Sequence, residues 1–224
     1  MIYFYNSLKG YFIATNEKVL SSSLKSMSEV VQVHRKKIII NDLKNKLIFI
    51  DNDSQFLFVR NPYKRIESFF KEKLREKVKN STKYDNPYNL KLHQKIFYPY
   101  AGVNENDEVE EKQKKILNFT WLQFIESLPY VYQLDPHLKP QSGVLWPKIK
   151  NWFPYAMKFD KIFKIDDTNH RKEIESVLGL DLSIRKNQSP PNNEIIWNKK
   201  AFGIVNKLYK NDFVKFDYKM NQMS

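Results

Sequence analysis

The chain has 224 residues, 42% of them hydrophobic, with 16 Phe, 13 Tyr and 4 Trp, which is enough for a sizeable core and excludes a disordered chain. A formal charge of +13 makes nucleic acid, anionic lipid, anionic glycans and phosphorylated nucleotides all compatible partners without choosing among them. The absence of cysteine excludes a disulfide framework, thiol catalysis and thiolate metal sites, and is compatible with a reducing cytosol.

In chain order, Tyr11 to Thr15 reads as a short buried strand, Asn16 to Leu20 as a turn and Ser21 to Val31 as a helix. Lys37 to Ile40 and Leu47 to Ile50 are further strands, and Gln55 to Arg60 a strand covered on both faces. Asn61 and Pro62 start an amphipathic helix whose apolar residues are Ile66, Phe69, Phe70, Leu74 and Val78. Residues 79 to 115 are polar and read as an exposed or mobile loop. A helix follows over Leu117, Trp121, Phe124, Ile125 and Leu128, stopped by Pro129. Lys161 to Asp166 is a strand, Arg171 to Leu178 a helix capped by Gly179, and Trp197 to Tyr209 a closing helix. Strands alternating with helices, with no repeat or long linker, predict one α/β domain with a mostly parallel central sheet flanked by helices. No apolar run approaches the roughly 20 residues of a membrane span, and no secretory signal opens the chain.

Ligands of an open parallel sheet bind beyond the carboxyl ends of its strands, and two turns there carry suitable chemistry. In the first, Lys18, Val19 and Leu20 lead into Ser21, Ser22 and Ser23. Backbone N–H groups at a helix start, three hydroxyls and a mobile cation suit a phosphate or sulfate group. The turn lacks the GxxxxGK[ST] pattern and any glycine, and by itself it equally reads as a serine-capped helix beside a surface lysine. The second turn is Arg60-Asn61-Pro62-Tyr63-Lys64-Arg65-Ile66-Glu67-Ser68. Arg60 ends the strand, where a guanidinium can grip a phosphate through two parallel hydrogen bonds, and Ser68 lies about two helical turns further on. Arg65 reads as structural or solvent-facing. The four histidines (His34, His93, His137, His170) have no HxxxH or HExxH spacing, so a structural zinc is not expected.

The residues from Arg60 to Ser68 resemble the 3'-phosphate motif R-[DN]-P-x-x-R-x-x-S of the carbohydrate (Golgi-type, family 2) sulfotransferases. Lys18 to Lys25 is similar to their 5'-phosphosulfate loop, the P-loop-like element of that fold. Asp135-Pro136-His137-Leu138-Lys139-Pro140-Gln141 resembles the D-x-H-x-x-P-Q segment, Phe159 to Asp166 the strand after it, and Tyr209 to Tyr218 the closing tyrosine/aspartate-phenylalanine motif. These matches follow family order across nearly the whole chain. The departures are the missing cysteines, Asp166 in place of Glu, Leu138 in place of Trp, and the absence of a membrane anchor; they point to a soluble, cytoplasmic microbial or viral relative.

The resemblance implies 3'-phosphoadenosine 5'-phosphosulfate (PAPS) as donor, adenosine 3',5'-bisphosphate as product, no metal, and a hydroxyl acceptor on a glycan or glycolipid. Lys18, Val19, Leu20, Ser21, Ser22 and Ser23 would bind the phosphosulfate, with Lys18 stabilising the leaving oxygen. Arg60 and Ser68 would hold the 3'-phosphate. Arg185 and Lys186 either close over the nucleotide or form a solvated basic loop. His137 is the first choice of base, and it can equally be a histidine that bonds backbone or orients the acceptor. His93 is the second choice, a carboxylate (Asp135, or one in residues 105 to 111) the third, while His34 and His170 read as surface or packing residues. Residues 79 to 157 would shape the acceptor side. Two other classes compete: a phosphate-loop kinase, which should show a glycine-rich loop, and a non-enzymatic polyanion- or nucleic-acid-binding module.

Overall fold

The computed structural model describes residues 2–16, 19–33, 53–79, 92–145, 148–149, 153–154, 157–182 and 194–222. Its elements in chain order are β1 (Ile2–Asn6), β2 (Tyr11–Thr15), α1 (Ser21–Lys25), β3 (Val31–Val33), β4 (Ser54–Val59) and α2 (Pro62–Lys71). Then come α3 (Leu92–Lys95), α4 (Tyr98–Ala101), α5 (Val109–Asn118), α6 (Trp121–Val131), β5 (Lys148–Ile149), β6 (Phe153–Pro154), β7 (Lys161–Lys164), α7 (Thr168–Glu173), α8 (Lys199–Leu208) and α9 (Lys210–Lys215). They build two compact units: Met1–Asn61 with Pro140–Asn187 and Val214–Asp217, and Pro62–Lys139 with Gln188–Phe213 and Tyr218–Ser224.

The first unit holds a five-stranded sheet of order β3-β1-β2-β4-β7. β2, β4 and β7 are parallel, whereas β1 pairs antiparallel with both β2 and β3, so the sheet is mixed with a parallel core. β1, which the pattern reading passed over, joins β2 through a turn in which Asn6 Oδ1 accepts from the N–H groups of Leu8 and Lys9, at 3.1 and 3.0 Å. Gly10 closes that turn at φ 61°, a left-handed conformation that costs glycine nothing. Ile2, Phe4, Tyr11, Ile13, Phe58 and Phe163 put one sheet face against Val19, Leu24, Ile174 and Leu178. The helix expected over Ser21 to Val31 ends at Lys25, because Ser26 turns back, its N–H and hydroxyl both bonding Ser23 O at 3.0 and 2.7 Å. Val31 to Val33 joins the sheet instead. Gly179 at φ 66° ends the π-helical turn Ile174–Leu178, as its position predicts. The strands expected at 37–40 and 47–50 lie outside the described residues.

The second unit is helical around an aromatic core that includes Phe69, Phe70, Phe97, Phe119, Phe124 and Tyr209. α2 starts at Pro62 as expected and runs on through a π-helical turn, Glu72–Glu76, to Lys79. Three expectations fail here. The described part of the supposed loop carries α3, α4 and α5, because Gln94, Phe97, Tyr98 and Ile116 are buried anchors at helical spacing within a polar sequence. Nor does Pro129 stop α6; it forfeits only the bond to Ile125 O, while buried Leu128 and Val131 hold the next turn to the core. The segment read as one helix from Leu117 to Leu128 is two, divided by a capping box in which Thr120 and Gln123 satisfy each other's N–H groups. Among the described residues no helix is long and apolar enough to cross a membrane.

Candidate active site

The parallel strands β2, β4 and β7 end on the same side of the sheet in the first unit. Beyond β2 the chain turns tightly: Val19 N–H donates to Asn16 O at 3.1 Å, and Thr15 Oγ1 donates to Val19 O at 2.6 Å. Val19 is fully buried, so its side chain and both its backbone groups set the shape of the turn. Leu20 then takes φ 56° and ψ 5°, a left-handed conformation that costs a residue with a Cβ roughly 1–2 kcal/mol. A glycine would adopt this conformation without that cost. The first bond of α1 runs from Leu24 N–H to Leu20 O at 2.9 Å, so the N–H groups of Ser21, Ser22 and Ser23 precede the intrahelical ladder. Lys18, Arg185, Lys186 and His34 lie outside the described residues.

At the end of β4, Arg60 is held from two directions. Gln141 forms a reciprocal pair with its backbone, Oε1 accepting from Arg60 N–H at 2.9 Å and Nε2 donating to Arg60 O at 2.7 Å. Asp166, just past β7, accepts from Asn61 N–H at 2.6 Å and faces Arg60 Nε at 3.5 Å. The Arg60 side chain as a whole is a quarter exposed. Thus the last residue of the Asp135-to-Gln141 segment and Asp166 both orient Arg60, roles that the sequence spacing does not disclose. The salt bridge weighed as an alternative for Arg60 exists, alongside this exposure. Ser68 sits half-buried in the second unit, on the second turn of α2.

Within the second unit three sequence-flagged segments converge. Arg65 is fully buried; its Nη1 and Nη2 donate to the carbonyls of His137 and Lys139 at 3.0 and 2.8 Å, and Asp212 lies 3.9 Å away. Tyr209 donates to Leu138 O at 2.7 Å. Burial pushes the Tyr209 phenol up, so it stays protonated and able to donate. Arg65 is therefore structural, clamping the turn that carries His137.

That turn displays one carboxylate between two imidazoles. Asp135, with no exposed surface, accepts at Oδ1 from His137 N–H and His137 Nδ1, both at 2.7 Å, and its Oδ2 meets His93 Nδ1. Burial opposes ionisation of Asp135, but the bonds from His137 and His93 outweigh it and hold the carboxyl well below the usual carboxylate range. Burial likewise pulls the His137 imidazole below its ordinary value, against the attraction of Asp135. The resting state is an ionised carboxylate flanked by a neutral His137 whose proton sits on Nδ1, leaving Nε2 as an acceptor. His93 and Asp135 are 42 positions apart and meet only in the fold, so local spacing in the sequence does not disclose this cluster. His170 packs beside β7, its Nδ1 accepting from Lys164 N–H at 2.9 Å, as a packing histidine should.

A model described as the sulfotransferase family matches residues 3–219, which run through both units and include every motif above. The chain belongs to the sulfotransferase family. It is therefore an enzyme that transfers a sulfuryl group, which sets the kinase and polyanion-binding alternatives aside. Searches of curated proteins and of solved structures return no match. For a sulfotransferase, the residues at the sheet's carboxyl end have the chemistry to take an anionic donor, and the carboxylate–imidazole pair has the chemistry to accept a proton.

Proposed function

We propose that this sulfotransferase uses PAPS and passes its sulfuryl group to a hydroxyl of a carbohydrate or glycoconjugate by in-line displacement. The acceptor oxygen forms the new S–O bond as the bond to the nucleotide phosphate breaks, and adenosine 3',5'-bisphosphate leaves. Such a transfer needs little covalent help; positioning and charge neutralisation supply most of the rate. Lys18 neutralises the leaving oxygen, and the N–H groups from Leu20 to Ser23 bind the phosphosulfate around a turn shaped by Val19. Arg60 and Ser68 take the 3'-phosphate, with Arg185 and Lys186 as further cations for it. His137 Nε2 removes the acceptor proton, and the resulting imidazolium is stabilised by Asp135.

The observation that supports the donor assignment is the placing of Arg60: its backbone is clamped by Gln141 at the carboxyl end of β4, and its side chain stays partly exposed there, where ligands of a parallel sheet bind. Ligand-induced thermal stabilisation tests it. Adenosine 3',5'-bisphosphate should raise the melting temperature while ATP does much less. Arg60→Ala should weaken that binding by about 10- to 100-fold, the worth of charge-assisted hydrogen bonds. Equal stabilisation by ATP, or an Arg60→Ala protein that binds the bisphosphate normally, contradicts the assignment.

A further inference from the structure

The His93–Asp135–His137 cluster holds more than a base and its partner. Asp135 is bridged: one oxygen serves His137 and the other His93, and the two rings stand edge to face with centroids 4.6 Å apart. His93 is fixed to this place, because the next residue of α3, Gln94, is buried and donates Nε2 to Lys73 O at 2.6 Å. The ligand atoms of the three residues lie within 4.8 Å of one another, so a metal is one conceivable occupant. The 2.7 Å approach of His137 Nδ1 to Asp135 argues against it: two atoms each about 2.0–2.1 Å from one tetrahedral metal lie further apart than a hydrogen bond of that length. The contacts are those of N–H donors on a carboxylate.

We propose that His93 is a positioning residue for His137, acting through the shared carboxylate of Asp135. The inference rests on the reading of His137 as the base. With its second oxygen engaged by His93, the carboxylate cannot rotate away from His137 or take up water, so the Nδ1–H tautomer of His137 is locked and Nε2 is kept as the unprotonated nitrogen. His93 also draws off part of the carboxylate charge and so tempers the basicity of His137. Among the described residues, the charged groups facing His137 besides Asp135 and His93 include the Lys73 ammonium, itself paired with Glu72 at 3.1 Å, and Arg65 at the His137 carbonyl. Phe69 forms an apolar wall, its ring centroid 6.2 Å from that of His137.

The test compares His93→Ala, His93→Asn and His137→Asn. His93→Ala should lower kcat by up to about 100-fold, the loss that comes with a misplaced catalytic group, with KM for PAPS unchanged. Freed of one donor, Asp135 should raise the affinity of His137 for its proton, so the acid limb of the kcat profile moves to higher pH. His93→Asn offers an amide N–H to the same oxygen and should return both rate and limb toward the parent. Proton NMR provides a readout independent of turnover: the downfield His137 Nδ1–H resonance should shift in His93→Ala and recover in His93→Asn. Unchanged kcat and pH limb in His93→Ala, or equal impairment of the two His93 variants with no NMR recovery, overturns the proposal while leaving His137 as base. Normal turnover by His137→Asn removes the base reading, and this inference with it. Stabilisation by added Zn²⁺ that vanishes in both His93→Ala and His137→Asn would assign the cluster to a metal and also overturn it.

Discussion

Arg65 shows how one buried side chain can stand behind a site without touching substrate. Its two carbonyl bonds and its proximity to Asp212 fix the turn from Asp135 to Lys139. Arg65→Leu should cost about 3–5 kcal/mol in denaturant unfolding, because the wholly buried Asp212 carboxylate loses this cation. Arg65→Lys keeps the charge but loses the fork and should fall between; a parent-like midpoint for Arg65→Leu contradicts the clamp. The pH dependence follows from the same turn. Asp135 is held low, so its contribution is present above the unfolded value of about 3.9 and is lost as pH falls through its folded value. His137 is also held low, so below about pH 6.5 the unfolded chain takes a proton that the folded ring refuses, and stability falls with pH there as well. Unfolding free energy should therefore drop between pH 7 and 5, and drop less in His137→Asn. Arg60, Asp135 and His137 were legible in the sequence as chemistry-bearing types at telling positions, whereas the burial of Arg65 and the meeting of His93 with Asp135 were not, because local spacing carries no information about contacts between distant segments.

At the level of elements, periodicity served where an apolar stripe or strand was buried against a core. β2, β4 and the start of α2 follow directly from their runs of Phe, Ile, Leu and Val. It failed where a few anchors hold a polar helix, as in α3 and α5, and where a cap overrides an apolar pattern. Thr120 is such a cap: Thr120→Ala should cost about 1 kcal/mol, and Thr120→Ser should preserve stability. Equal thermal midpoints for the parent and the alanine variant would show that α5 and α6 are divided by packing alone. Gly179 offers a second check. A Cβ there would sit at φ 66° and 2.1 Å from Lys9 Nζ; the lysine can swing aside but the backbone strain cannot, so Gly179→Ala should destabilise by about 1 kcal/mol or more.

Across the whole molecule, both units carry parts of one family signature, and the family match runs through both of them. The α/β alternation and the parallel core were readable because βαβ connections impose them. The antiparallel β1 and β3 additions were not, being short strands with pairing partners elsewhere in the chain. The charge of +13 exceeds what one nucleotide needs, in keeping with an anionic acceptor or plain solubility. We propose above that the chain moves a sulfuryl group from PAPS to a hydroxyl. The most direct test of this is transfer of labelled sulfate from PAPS across a panel of glycan, glycolipid and small-molecule acceptors, with Lys18→Ala as control. Labelled product should form from a carbohydrate acceptor, with stoichiometric adenosine 3',5'-bisphosphate, and almost none should form with a folded Lys18→Ala protein. Undiminished transfer by that variant, or a parallel assay in which the acceptors take phosphate from γ-labelled ATP but no sulfate from PAPS, would contradict the proposal.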